Sequence, residues 1–325
     1  MPARPAVSVV IPAFNAAAFI AETLESVFQQ TFSGAQTIVV NDGSPDTPAL
    51  ESALAPYRDR ILYIELPENR GPSGARNIAI AHATGEFIAL LDSDDTWQPD
   101  YLAHQMDRLQ ADPTIDLIYA DGVIVGGSLD GRRLMQVTPS HPHVTLERLI
   151  AEECVVLTSC TVARRQALLD AGLFDERFRR SEDAHLWLRI AMRGGRIVWH
   201  PDVLVRHRRR AGSLGDDTNA MRQAYIDVLE DLGRRFTFTP TQQALMRRQA
   251  DHRRALLALD EGKQLLISGH YAQAAAAISR ARQCEPAPLR QMRLGLLHAA
   301  VRLAPRLLHR AYERLRPAAM PALHG

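Results

Sequence analysis

The run Phe87-Ile88-Ala89-Leu90-Leu91 is followed at once by Asp92-Ser93-Asp94-Asp95. An unbroken apolar stretch of this length suits a strand covered on both faces, as in a parallel sheet. The carboxyl ends of such strands open into the crevice where α/β sheets bind ligands. Carboxylates crowded at one strand end repel one another unless a cation sits among them. A hard divalent ion takes oxygen ligands, commonly one or two carboxylates together with substrate phosphates. A plainer reading stays open: the acids precede a helix that Pro99 can start, and negative charge there suits the helix dipole.

Earlier segments build toward the same edge. Val7-Ser8-Val9-Val10-Ile11 reads as a strand stopped by Pro12-Ala13-Phe14-Asn15. Residues 16–30 carry Phe19, Ile20, Leu24, Val27 and Phe28 at helical spacing. Thr37-Ile38-Val39-Val40 is a second strand ending in Asn41-Asp42-Gly43-Ser44, residues 50–57 are helical, and residues 61–64 form a third strand. Strands alternating with helices at these lengths predict a parallel sheet with right-handed crossovers. Asp42 at its strand end can accept hydrogen bonds from a base or a ribose, although the same four residues are turn formers. In Glu68-Asn69-Arg70-Gly71-Pro72-Ser73-Gly74-Ala75-Arg76-Asn77, two glycines let a ligand approach the backbone. Arg76 is expected to open a helix over residues 75–83, where a guanidinium suits a diphosphate. The glycine spacing matches neither a Walker loop nor a Rossmann fingerprint.

Composition sets limits. At 325 residues the chain has room for two domains, and 46% hydrophobic content with 23% charged residues places it among globular proteins. A net charge of +1 gives no argument for nucleic acid as a partner. Cys154, Cys160 and Cys284 lack metal-ligand spacing and cannot all pair, which favours a reducing compartment. No signal-peptide core and no long apolar span is seen, so a cytoplasmic location is expected, with room for peripheral contact at the inner face of the plasma membrane.

Four of these motifs occur together in a known order. Ser8-Val9-Val10-Ile11-Pro12-Ala13-Phe14-Asn15, Asn41-Asp42-Gly43-Ser44, Gly74-Ala75-Arg76-Asn77 and Asp92-Ser93-Asp94-Asp95 resemble the family 2 glycosyltransferases over residues from about 7 to about 213. The resemblance implies a GT-A fold, a mostly parallel α/β sheet flanked by helices, and an inverting, hexosyl-type transfer from a nucleotide-diphosphate sugar, most commonly a UDP-sugar. It implies a donor site of Pro12, Asn15, Asp42, Arg76 and Asp92. The residue matching Asp42 contacts the base, and the one matching Asp94 binds Mn2+ or Mg2+ bridging the diphosphate. Asn41 stands where the family often has Asp.

Further on, Gly172-Leu173-Phe174-Asp175 and Glu182-Asp183-Ala184-His185-Leu186-Trp187-Leu188-Arg189 resemble the acceptor-side motif. By that resemblance Asp183 is the general base, which an attacking hydroxyl requires, with Glu182 and Trp187 on the acceptor side. Ser181 capping a helix, with both acids favouring its dipole, is the structural alternative, and Trp187 also reads as core. Strands are expected at residues 117–119, 123–125 and 155–163, a loop at 126–143 and a helix at 144–153. His207, in Arg206-His207-Arg208-Arg209-Arg210, is a candidate for the metal shell or the diphosphate. A structural histidine in a solvated arginine loop is the other reading.

Residues 1–215 are thus expected to form the transferase domain and 216–325 a helical region. Residues 261–281 resemble one tetratricopeptide unit, which cannot bury its own face alone. Residues 289–316 form a basic amphipathic tail broken at Pro305, with Leu296, Ala300, Leu303, Leu307 and Ala311 on one face. Two readings stay open for it: contact with a membrane carrying a lipid-linked acceptor, or packing on the protein itself. The processive signature Gln-x-x-Arg-Trp is missing, so single-residue transfer to a carbohydrate or lipid-linked acceptor, in cell-surface polysaccharide or glycoconjugate synthesis, is the expectation. A sugar nucleotidyltransferase or a silent scaffold are the alternatives.

Overall fold

The computed structural model describes residues 6–210 and 212–315. The chain divides into two compact units, Met1–Asp217 and Thr218–Gly325.

The first unit opens as its apolar pattern dictates. β1 (Val7–Ala13), β2 (Gln36–Asn41), β3 (Leu62–Glu65) and β4 (Phe87–Leu90) are parallel, in the spatial order β3-β2-β1-β4. The crossovers are α1 (Ile20–Phe28), α2 (Thr47–Leu54) and α3 (Gly71–His82). Val7, Val9, Val10, Ile11 and all of β4 are buried, because helices cover both faces. α1 turns Ile20, Leu24 and Val27 inward at helical spacing. The strand order reverses between β1 and β4, and ligand crevices of open α/β sheets lie at such a switch point.

Beyond β4 the sheet becomes mixed. β5 (Thr96–Trp97), α4 (Tyr101–Ala111), β6 (Ile115–Val125), α5 (Leu146–Ile150), β7 (Thr161–Arg164), α6 (Arg165–Asp170), α7 (Glu182–Met192) and β8 (Arg196–Arg208) follow in order. β7 lies antiparallel between β4 and β6, β8 runs parallel to β6, and β5 pairs antiparallel with β8 at the edge. The two strands expected at 117–119 and 123–125 are one strand whose register shifts absorb a bulge around Asp121. Asp121 is fully buried there; Arg133 Nε donates to it at 2.7 Å and Met135 N at 3.1 Å. That pairing ties down part of the segment expected to be a loop, which contains two short 3-10 turns. The strand expected at 155–163 keeps only Thr161–Arg164, since residues 158–160 coil into another such turn, and the helix expected at 144–153 shrinks to α5.

The second unit is helical: α8 (Thr218–Arg235), α9 (Pro240–Ile267), α10 (Tyr271–Cys284), α11 (Pro288–Leu303) and α12 (Pro305–Leu315). Thr239 and Gln242 cap α9 reciprocally, and Pro240 takes the first turn, where no amide is needed. α9 and α10 form a hairpin whose turn uses Gly269 at φ +78°. Gly262 lets α10 close in, since a Cβ there would stand 2.7 Å from Ile278 Cγ1. The hairpin hides its other face under α11: Val301 joins Leu266, Ala274 and Ile278 in one buried cluster, with Leu297 and Leu308 packed against it. The apolar stripe read in the tail is not the face that packs against this hairpin. Leu296, Leu303 and Leu307 stand in solvent, Leu303 at 86% exposure. Residue 316, the end of the expected tail, lies outside the described residues. No helix among the described residues is long and apolar enough to cross a membrane.

One glycine matters for the strand ends. Gly43 follows β2 at φ +58°, and a Cβ on it would meet backbone atoms of Glu68 at 2.5 Å and Asn69 at 2.6 Å. Gly43→Ala is expected to cost about 1–3 kcal/mol through strain and displacement of that segment. Urea denaturation would register it as a lower midpoint at unchanged slope.

Candidate active site

Each carboxylate of the acidic run has its own cation. Asp92 Oδ1 accepts from Arg76 Nη2 at 2.6 Å, Asp94 Oδ2 accepts from Arg210 Nε at 2.6 Å, and Asp95 Oδ2 faces His207 Nδ1 at 3.0 Å. The repulsion noted in the sequence is thus met within the chain. Exposure separates the three: the Asp92 side chain is 34% exposed, that of Asp94 16%, and that of Asp95 1%. Asp95 is accordingly a clamp. It also takes the Arg208 amide at 2.7 Å, while its carbonyl and that of Ser93 accept from Thr23 Oγ1. The end of β8 and the start of α1 are both tied to the acid turn this way.

Burial alone would keep the His207 ring neutral. Asp95, with Asp92 and Asp94 behind it, outweighs that and raises the ring to about 9. In this structure His207 pairs with Asp95 rather than with Asp94. Asp94 moves the other way: burial, then the charges of Asp95 and Asp92, raise its carboxyl, and Arg210 pulls it back.

The loops after β1 and β2 are tied to one another. Pro12 lies half-buried within β1, which runs on to Ala13, and Asn15 follows at φ +50°, its amide donating to Ser44 Oγ at 2.7 Å. Ser44 also bonds Asp46, whose Oδ2 takes the Ala17 amide at 2.9 Å. Asp42 accepts from the Arg70 amide at 2.7 Å and from Asn69 Nδ2 at 3.0 Å. Burial raises its carboxyl against these bonds. Asn41 is fully used: its amide nitrogen donates to Thr47 Oγ1 and Tyr63 OH, and its oxygen accepts the Ser44 amide. An aspartate there could not make the two donations.

Arg76 does not sit at a helix N-terminus. Pro72 starts α3 after Gly71 at φ +77°, so Arg76 falls in the second turn, 4% exposed. Its Nη2 holds Asp92 and its Nη1 holds Glu182 Oε1 at 2.7 Å. Arg76 is thus a fork that joins the end of β4 to the start of α7. Beside it, Asp183 accepts from Thr158 Oγ1 at 3.2 Å and from the Ala184 amide at 2.7 Å. Burial raises both Glu182 and Asp183 above the ordinary carboxylate range. Ser181 does not cap α7 with its side chain; it enters at φ +54°, a conformation costly for a non-glycine residue. Trp187, expected on the acceptor side, lies inside the core, 1% exposed, its Nε1 donating to the Val156 carbonyl at 3.1 Å.

Sequence reasoning missed Thr158 and Ser159. The Ser159 hydroxyl takes the Asp92 amide at 3.1 Å, and its carbonyl takes Trp97 Nε1 at 2.8 Å. Asn69 and the individual partners of Arg208 and Arg210 were missed as well. No local pattern marks these residues, because each acts across at least 25 positions of chain.

A mixed sheet with acids at the switch point, flanked by helices and followed by a helical region, is the GT-A architecture of nucleotide-sugar transferases. Residues 8–173 match the model for Glycosyl transferase family 2, and the chain belongs to that family. It is 31% identical over 325 residues to the succinoglycan biosynthesis protein ExoO of Rhizobium meliloti, covering 94% of this chain and 89% of that protein. It is 32% identical over 200 residues to the amylovoran biosynthesis glycosyltransferase AmsB of Erwinia amylovora, covering 59% and 65%. Among solved structures, S. aureus TarS 1–349 in complex with UDP-GlcNAc superposes with a TM-score of 0.64 at 20% identity, over 96% of this chain and 93% of that one. The Pyrobaculum calidifontis mannosyltransferase PcManGT, in complex with GDP-Man and Mn2+, gives 0.59 at 24% over 97% and 86%.

Replacing the fork tests its place in the structure. Arg76→Met leaves Asp92 and Glu182 without their cation, and the expected cost is about 3–5 kcal/mol. Arg76→Lys keeps the charge but cannot hold two carboxylates in one plane, so it should fall between. Thermal melts of the three proteins at one pH would order them.

Proposed function

We propose that this chain is an inverting, non-processive glycosyltransferase that moves a sugar from a nucleotide-diphosphate donor, a UDP-sugar in our reading, to an acceptor hydroxyl. One observation carries the proposal. Asp183 and Asp92 approach each other through Arg76 and Glu182, so a proton acceptor stands beside the strand end where the donor would lie. In this reading residues 1–215 are the catalytic domain, Asn15 and Asp42 meet the nucleoside, and Asp92 lies beside the ribose or donor sugar.

The donor set fits a hard cation. Asp94 offers a partly exposed carboxylate whose side-chain partner among the described residues is Arg210, and Asp92 offers a second carboxylate close by. When bound, Mn2+ or Mg2+ would neutralise charge on the departing diphosphate. The chain's own residues do the rest. As the acceptor oxygen bonds to the anomeric carbon and the bond to the diphosphate breaks, Asp183 takes the hydroxyl proton. Thr158 and the Ala184 amide hold Asp183 in place. Glu182 does not compete, because Arg76 occupies it and neighbouring helical side chains point about 100° apart. The base must be ionised, so turnover should fall on the acid side at a pH above the ordinary carboxylate range.

Asp183→Asn keeps the shape but removes the basic lone pair. It should leave donor affinity near wild type and lower turnover by about 10²–10⁴. Calorimetry with the nucleotide sugar, beside nucleoside diphosphate release with a working acceptor, measures both. If donor affinity falls while turnover at saturation holds, Asp183 is not the base.

The relatives' names, in succinoglycan and amylovoran biosynthesis, support a cell-surface polysaccharide or glycoconjugate as the product class. For the acceptor we favour one linked to lipid, met at the inner face of the plasma membrane. Leu289, Met292, Leu296, Leu303 and Leu307 are exposed, and residues 286–311 hold five arginines and no acidic residue. An exposed apolar stripe flanked by cations suits an anionic bilayer surface. Leu296→Glu with Leu303→Glu should abolish flotation of the full chain with phosphatidylglycerol vesicles while its melting temperature holds. Equal flotation of the two proteins would mean the stripe does not touch lipid.

A further inference from the structure

Arg210 occupies one oxygen of the carboxylate proposed to hold the ion. Its Nε donates to Asp94 Oδ2 at 2.6 Å, and the acid's other neighbours, Asp92 and Asp95, add negative charge. The arginine is brought there by structure rather than by a free loop. Asp95 grips the Arg208 amide and His207, so β8 ends against the acid turn. Arg208 then fastens that end, donating from Nε to the Asp94 carbonyl at 3.0 Å and from Nη2 to Glu22 at 2.6 Å. Both guanidinium groups lie 5.3 Å from the centre of the Phe19 ring. Arg210 gives its guanidinium to the Asp94 carboxylate, its side chain is 30% exposed, and Gly212 at φ +79° follows two residues later.

A guanidinium and a divalent ion beside one carboxylate repel each other, so the ion binds more weakly while Arg210 stays paired with Asp94. We propose that Arg210 is a resident counter-cation of Asp94, displaced when ion and nucleoside diphosphate arrive together. The diphosphate then receives the released guanidinium, whose planar fork suits phosphate oxygens. Ion and nucleotide therefore bind as a coupled pair: the ion alone meets the arginine's charge at Asp94, whereas the diphosphate draws that charge away. This rests on the reading of Asp94 as the carboxylate that holds the ion.

The test measures Mn2+ binding on the full chain by the loss of the free-ion EPR signal, with and without UDP. Wild type should bind Mn2+ weakly alone and at least tenfold more tightly with UDP. Arg210→Gln should tighten Mn2+ binding without UDP by about tenfold, the factor carried by one hydrogen bond between charged groups. It should also weaken UDP binding at saturating Mn2+ by a similar factor, so that most of the coupling vanishes. Arg210→Lys, which keeps a charge within reach of Asp94, should retain part of it. If Arg210→Gln binds Mn2+ alone no more tightly than wild type, while Asp94→Ala abolishes binding with UDP, the counter-cation role is wrong and the ion site stands. If Asp94→Ala leaves Mn2+ binding with UDP unchanged, the ion is not on Asp94 and both readings fall.

Discussion

The site hangs on one guanidinium. Arg76 is buried in the second turn of α3, and its two terminal nitrogens reach carboxylates from different parts of the chain, Asp92 after β4 and Glu182 at the head of α7. A buried cation of this kind is costly unless its partners are well aligned, and removing a partner leaves an uncompensated charge. The interaction therefore fixes position more than it adds stability. It sets where α7 begins relative to the strand ends, and with that where the neighbouring Asp183 stands. Phe174, in the turn before α7, lies under the same guanidinium, with its ring centre 5.3 Å away.

Around that point the turn Asp92–Asp95 distributes labour by exposure. Its most buried acid binds backbone and an imidazolium, and its two less buried acids face arginines. Similar residue types thus do different work within four positions. The sequence alone cannot divide them, because the division comes from which strands and helices close over each one. Thr23 on α1 and the end of β8 close over Asp95, and neither is near it in the chain.

The parts of the fold that could be read from the sequence were those with a local period. β1 to β4 and their crossovers follow from apolar runs and helical spacing, and the acids at their ends follow from where those runs stop. The Pro305 break between α11 and α12 was equally local. What escaped was set at a distance. Gly71 and Pro72 start α3 earlier than the apolar pattern suggests, which moved Arg76 from a helix end into the interior. The run from 155 to 163 looks like a strand, yet residues 158–160 coil so that Thr158 and Ser159 can reach Asp183 and the Asp92 amide. Trp187 reads equally well as core or as a sugar platform until the Val156 carbonyl claims its indole nitrogen. In the tail, α11 has two apolar faces, and only the packing of α10 decides which one is covered.

The position of β7 bears on how the chain comes to be folded at all. β4 borders β1 early in the sequence, but its other edge waits for residues 161–164, and the acid turn beyond it waits for residues 207–210. During synthesis, at about 5–20 residues per second, that interval lasts several seconds. Through it, the most hydrophobic strand of the sheet has one unpaired edge, and three neighbouring acids lack two of their three cations. Repulsion among those acids keeps the half-made edge charged at its tip, and charge at an open edge discourages pairing with another chain. The same residues that crowd the finished site thus act as gatekeepers for the unfinished sheet.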